Sequence, residues 1–174
     1  MKKLEIGDCI GIFSPSSPIT YTMPKRFERA KTFLEAKGFK IIEGSLTGKC
    51  DYYRSGTIKK RVEELNDLIR NPEVKCIMST IGGTNSNSIL PYIDYEAFRK
   101  NPKIIIGYSD ITAILLAIYA KTGISTFYGP ALVASFGEFP SFVDYTYDYF
   151  KDIVIEDTPI PYEIPMPDFG QMNI

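Results

Sequence analysis

Ser109 and Asp110 lie side by side where an apolar strand gives way to an apolar helix, in the stretch K-I-I-I-G-Y-S-D-I-T-A-I-L-L-A-I-Y-A-K from Lys103 to Lys121. A serine hydroxyl attacks a carbonyl only when a base takes its proton and nearby dipoles hold the oxyanion. Ile104-Ile105-Ile106 is a short β-branched run suited to a buried strand, and Gly107-Tyr108 makes the turn. Apolar residues then continue for about three helical turns until Gly123 stops them. Strand, tight turn and helix with a serine at the corner form the frame of a nucleophile elbow, although G-x-S-x-G would place glycine where this chain has Ile111. The carboxylate of Asp110 is in position to cap the new helix, and the alternative reading makes Ser109 or Asp110 no more than that cap.

The sequence contains no histidine, the usual partner of a serine nucleophile. A catalytic Ser109 therefore takes its base either from a lysine or from sequence that this chain does not contain. Lys103 and Lys121 are the lysines of the segment, and both fall at the far ends of their elements, away from the corner.

A second group of residues follows the strand Cys76–Thr80, namely Ile81-Gly82-Gly83-Thr84-Asn85-Ser86-Asn87-Ser88. Two glycines let a backbone approach a ligand closely, so Gly82 or Gly83 could offer an N–H to an oxyanion; a plain strand-to-helix turn is the alternative. Thr84, Asn85 and Ser86 supply small polar groups for substrate, and Ser86 or Asn87 could cap a short helix before Pro91. No G-K-[ST] follows, which argues against a phosphate loop. Tyr52, Tyr53 and Arg54 sit in a polar loop from Gly44 to Gly56 and read as surface.

The elements that must position these groups follow from periodicity. Asp8–Phe13 reads as a strand, Ser14-Pro15-Ser16-Ser17-Pro18 as a loop, and Pro24 to Gly38 as a helix with Phe27, Ala30, Phe33 and Leu34 on one face. Phe39–Ile42 gives a second strand and completes a βαβ start, which predicts a parallel sheet. Thr57 caps a helix bearing Ile58, Val62, Leu65 and Ile69, ended by Asn71-Pro72. Asp94 caps a short helix through Arg99, Ser125–Tyr128 is a further strand, and the segment 129–140 covers the site or forms an interface. Ser141-Phe142-Val143-Asp144 has the spacing of a capping box for a helix through about Lys151. The fold class is α/β, a flavodoxin-like or Rossmann-like parallel sheet with flanking helices. Ligands bind such sheets at the carboxyl ends of the strands, where both polar groups fall.

The totals exclude several classes. The 174 residues suit one domain, and a net charge of −1 argues against nucleic acid as partner. Cys9, Cys50 and Cys76 show neither metal spacing nor an even count, which points to a reducing compartment, and no metal or cofactor is called for. The start lacks the apolar core of a signal peptide and no run is long enough to span a bilayer, so a cytoplasmic protein is expected. Residues 1–155 read as one domain, and the proline-rich stretch 156–174 as a linker or tail.

The segment from Asn101 to Ala113 resembles the nucleophile region of the LD-carboxypeptidase family of serine peptidases, as does Thr122 to Pro130. Cys76 to Ser88, Asp51 to Thr57 and the opening Gly7-Asp8 look most like the microcin C self-immunity branch of that family. The similarity runs from about Gly7 to Tyr149. It implies a two-domain serine hydrolase of which this chain is the first half, with Ser109 as nucleophile. The backbone N–H groups of Asp110 and Gly83 would form the oxyanion hole, and Gly82, Thr84, Asn85 and Ser86 would face the substrate. The family's glutamate and histidine come from the C-terminal domain, so the isolated chain would be inactive. The implied substrate is a microcin C-like peptide-nucleotide or a murein tetrapeptide, and the implied assembly a homodimer. Ile81 before the glycines and Thr84-Asn85 after them depart from the murein-cleaving pattern and favour the nucleotide-peptide class. Independently of the resemblance, the same loop edge also fits a non-catalytic module that binds a nucleotide or peptide.

Overall fold

The computed structural model describes residues 2–159 and 161–163. Its strands are β1 (Cys9–Phe13), β2 (Lys40–Glu43), β3 (Val74–Ser79), β4 (Ile104–Gly107) and β5 (Phe127–Tyr128). They form one sheet in the order β2-β1-β3-β4-β5 with every pairing parallel. This is the flavodoxin-like order, whose direction of winding reverses between β1 and β3. The crevice at that reversal lies between the loops that follow β1 and β3, the first carrying Ser14–Ser17 and the second Gly82–Ser86.

Alternation along each strand builds two cores. Ile10, Ile12, Cys76, Met78, Ile104 and Ile106 face one side, where they pack with α2 (Pro24–Ala36) and α6 (Phe142–Val154). Phe13, Ile77 and Ile105 face the other, against α3 (Ile58–Arg70), α4 (Tyr95–Lys100) and α5 (Thr112–Thr122). Fully burying one isoleucine such as Ile105 contributes about 1.5–3 kcal/mol, so the central strands are the most firmly seated part of the molecule. A one-turn helix, α1 (Ile19–Thr22), precedes α2 and was not anticipated, since Pro18 and the serines before it read as loop.

Thr57 caps α3 by accepting from the Lys60 N–H at 3.3 Å, and Asp94 caps α4 by accepting from that of Ala97 at 3.0 Å. Gly123 ends α5 in the left-handed conformation, with φ 74°. One local expectation fails: Ser141 forms no side-chain cap on α6. Segment 129–140 contributes Leu132, Val133 and Phe136 to the core. Arg26 fastens this wide turn to α2 through the carbonyls of Val133 and Ala134, both at 2.9 Å. After α6, Thr158 and Tyr162 both bond Asp152, at 2.7 and 2.6 Å, so the start of the proline-rich stretch lies along that helix. The remainder of the stretch, from Ile164, lies outside the described residues.

Candidate active site

The corner after β4 is built around one strained residue. Ser109 has φ 65°, a left-handed conformation that non-glycine residues rarely adopt, and it is exposed. Such backbone strain costs roughly 1–3 kcal/mol and persists only where the surroundings fix it. Here they do. Gly107 precedes the turn so closely packed that a Cβ on it would fall 2.3 Å from Ser79 Oγ. Its carbonyl accepts the Gly129 N–H at 3.1 Å, and Ile111, one turn on, is completely buried. A single 3₁₀ turn, Ser109–Ile111, then opens α5.

Asp110 does not cap its own helix. Its Oδ2 accepts from the N–H groups of Asn85 and Ser86, both at 3.0 Å, and from Ser86 Oγ at 2.8 Å. Those N–H groups open the 3₁₀ helix Ser86–Tyr92, so the carboxylate caps the neighbouring loop's helix from across the site. Neither Ser86 nor Asn87 is that cap. This bond brings the two polar groups of the sequence together. Gly82 lies directly against the elbow, and a Cβ there would fall 3.1 Å from the Asp110 nitrogen and 3.3 Å from Ser109 Oγ.

The Gly82 carbonyl accepts the Ser17 N–H at 3.1 Å. Across a trans peptide the Gly83 N–H must point the opposite way, away from Ser17. Gly83 has φ 154°, and a Cβ on it would collide with Ser16 Oγ at 2.2 Å. The N–H groups of Asp110 and Gly83 therefore belong to two backbone turns in contact beside one exposed hydroxyl, which is the layout an acyl-transfer site needs.

The other expected residues separate into two groups. Thr84 is exposed, and Gly83 is part-exposed. Ser86 is fully buried with its hydroxyl donated to Asp110, and Asn85 is half-buried with its N–H, carbonyl and Oδ1 all bonded. The Asn85 N–H is shared between Asp110 and Ser16, and its Oδ1 accepts from Ser16 Oγ at 3.1 Å and from Arg61 Nη1 at 2.8 Å. As placed, the hydrogen bonds of Asn85 and Ser86 hold the turn.

Three further residues shape the site and were not singled out from the sequence: Ser16, Arg61 and Glu64. Ser16 Oγ accepts the Thr84 N–H at 3.0 Å. Arg61 and Glu64 lie on α3 and are each 1% exposed. The readable signal was their spacing, since positions 61, 64, 65 and 68 share one helical face and Leu65 and Leu68 are core. Burial pushes the Glu64 carboxyl up to about 7, against the pull of the Ser14 and Leu46 N–H groups that it accepts. Lys103 lies at the start of β4, at the opposite end of the sheet, with Nζ bonded to the Asn71 and Val74 carbonyls at 2.7 and 2.6 Å. It is not a base for Ser109. Among the described residues no cluster of His, Cys, Asp and Glu could hold a metal.

Known proteins share this sequence pattern and fold. The sequence profile of the LD-carboxypeptidase N-terminal domain matches residues 10–129. A Vibrio cholerae protein that carries a provisional carboxypeptidase name is 66% identical over 95% of this chain and 49% of its own length. The microcin C7 self-immunity protein MccF of Escherichia coli is 58% identical over 95% of this chain and 48% of its own. A solved structure of MccF in its wild-type apo state superimposes with a TM-score of 0.89 at 57% identity, covering 94% of this chain and 50% of that one. MccF has also been solved in complex with aspartyl sulfamoyl adenosine. The chain spans about half the length of the curated relatives it matches.

Proposed function

The chain belongs to the LD-carboxypeptidase family, and from that premise we propose that it is the nucleophile-bearing part of a serine carboxypeptidase that cleaves a C-terminal amide-type bond. One observation carries the reading. The exposed Ser109 is held at positive φ with its Oγ against the Gly82–Gly83 turn and beside the Asp110 N–H.

In the proposed reaction Ser109 Oγ attacks the acyl carbon and its proton passes to a histidine. No histidine occurs in this chain, so the base comes from a second domain, in which a glutamate orients it. Residues 1–155 form the first domain, and 156–174 lead towards the second. The N–H groups of Asp110 and Gly83 hold the oxyanion, the histidine returns the proton to the leaving amine, and water releases the acyl group from Ser109. Gly82 and Thr84 line the acyl side.

The substrate in this reading is a microcin C-like peptide-nucleotide, and the enzyme protects its host from that antibiotic. The support is the level of similarity to MccF and the aspartyl sulfamoyl adenosine bound in one MccF structure. The reading extends to a cytoplasmic homodimer. Free thiols at Cys9, Cys50 and Cys76 suit a reducing compartment. The outer face of α5 exposes Leu116 and Tyr119, at 62% and 55%, as a helix does when it meets a partner. Sedimentation of the full-length protein as a monomer at high concentration would remove the dimer from the proposal.

The test is hydrolysis by the full-length protein, followed by mass spectrometry, of aspartyl sulfamoyl adenosine and of murein tetrapeptide. Aspartate release that disappears in Ser109→Ala supports the reading. Release of D-alanine alone reassigns the substrate to murein. Saturable binding without cleavage of either makes this a binding module.

A further inference from the structure

Helix α3 carries a cation and an anion, Arg61 and Glu64, one turn apart and both 1% exposed, yet no ion pair joins them. They divide the backbone polarity of the surrounding loops instead. Glu64 takes N–H groups: Oε2 accepts from Ser14 at 2.7 Å and Oε1 from Leu46 at 2.8 Å. Arg61 takes carbonyls: Nη1 donates to Pro15 O at 2.5 Å and to Asn85 O at 3.1 Å, and Nε donates to Gly56 O at 3.0 Å. Nη2 adds Ser88 Oγ at 3.0 Å.

Every bond but the one to Ser88, in the 3₁₀ helix that follows β3, ends in a loop at the carboxyl edge of the sheet, after β1, β2 or β3. Room has been kept for this, because a Cβ on Gly44 would sit 2.2 Å from Glu64 Oε1. Burial draws the Arg61 guanidinium below its ordinary range and nearby Arg54 adds to that, while the Asp110 charge opposes both.

Asn85 is the junction. Arg61 grips its carbonyl and Oδ1, and Asp110 grips its N–H from the elbow. Two hydrogen bonds thus connect the buried guanidinium to the residue that follows Ser109.

We propose that Arg61 and Glu64 are positioning residues, which hold the Gly82–Ser86 turn in register with the Ser109 elbow by clamping the three loops around the site to one face of α3. This rests on the reading of Ser109 as nucleophile. Stability alone does not call for such groups, since buried ions exchanged for well-packed apolar side chains often leave stability unchanged or raised. A planar five-donor fork and a two-oxygen acceptor instead fix the mutual orientation of backbones from different loops.

The experiment uses the full-length protein with Arg61→Lys, Arg61→Met and Glu64→Gln. Lysine keeps the charge but loses the fork, so Arg61→Lys is the variant to interpret if Arg61→Met does not fold. Gln cannot accept with both ends, so one of the Ser14 and Leu46 N–H groups loses its partner. The readouts are amide hydrogen exchange, kcat and KM.

Exchange at Thr84, Asn85 and Ser86, none of which Glu64 touches, is expected to accelerate about tenfold or more in every folded variant, while Ile105 in β4 stays protected. A misplacement of the turn should lower kcat about 10- to 100-fold with little change in KM. Folded variants with unchanged exchange at 84–86, or with exchange raised equally in β4, would overturn the proposal and leave a structural role only. Full turnover in Ser109→Ala would defeat the nucleophile reading instead. In that case the exchange pattern still reports whether α3 orders the turn.

Discussion

Arg61 and Lys103 are buried cations at opposite ends of the same sheet, 1% and 2% exposed, and both donate chiefly to backbone carbonyls. Their reach differs. Lys103 ties the end of α3 to the start of β3 through two nearby carbonyls, Asn71 and Val74, and burial together with nearby Lys75 lowers its ammonium to about 8. Arg61 spans loops after three different strands. One end of the sheet is stapled and the other is aligned. The difference teaches that a buried charge is informative about function when it joins segments distant in sequence at the ligand-binding edge.

The contrast predicts that substitutions at the two ends fail in different ways. The largest effect belongs to Ser109→Ala in the full-length enzyme, where turnover should fall by roughly 10⁴-fold or more with little change in melting temperature. Retained turnover would place the chemistry elsewhere.

Next comes the acid limb of stability. Glu64 has a folded-state pKa of about 7, above its ordinary 4.5, so the folded protein binds the extra proton between those values. Stability should therefore fall as pH rises from about 4.5 to about 7, by roughly 3 kcal/mol, and then level off. Glu64→Gln should flatten that limb in denaturant titrations, and an unchanged slope would refute the assignment.

Lys103→Met should cost about 1–3 kcal/mol by leaving the Asn71 and Val74 carbonyls unpaired, with kcat and exchange at 84–86 untouched. A loss of kcat there would erase the distinction between the two ends. The sign of its titration is opposite to that of Glu64. A lysine whose folded pKa is depressed to about 8 penalises the fold below that pH, and stability recovers as pH rises from about 8 towards 10.5.

The smallest effects concern strain. Tyr52 shares the positive φ of Ser109, at 57°, but is 90% exposed in a turn closed by the Asp51–Arg54 pair. Tyr52→Gly should stabilise the protein by about 1 kcal/mol. Ser109→Gly should stabilise it by a similar amount while abolishing turnover, a pairing expected only where strain serves the site. Thermal melts of both variants check this.

Much of this architecture was legible in the sequence. Three consecutive isoleucines, a Gly-Tyr-Ser-Asp corner and an apolar helix ending in glycine left little choice for β4 and α5, and the Gly82-Gly83 pair after β3 had no ordinary helical role. Partnerships between loops were harder to see. Asp110 looked like a cap for its own helix, because local spacing cannot show that the start of another helix lies closer. Arg61 and Glu64 were not singled out, because a helix rich in Lys and Glu hides which of its charges turn inward. Segment 129–140 read as a cover or an interface, and the wide turn that Arg26 and Arg29 hold also buries Leu132, Val133 and Phe136 in the core.

The most direct test of the central claim is the intact mass of the full-length protein after exposure to a fluorophosphonate. The account predicts one adduct, mapped to Ser109 and absent from Ser109→Ala. No adduct, or one that survives that substitution, would contradict it.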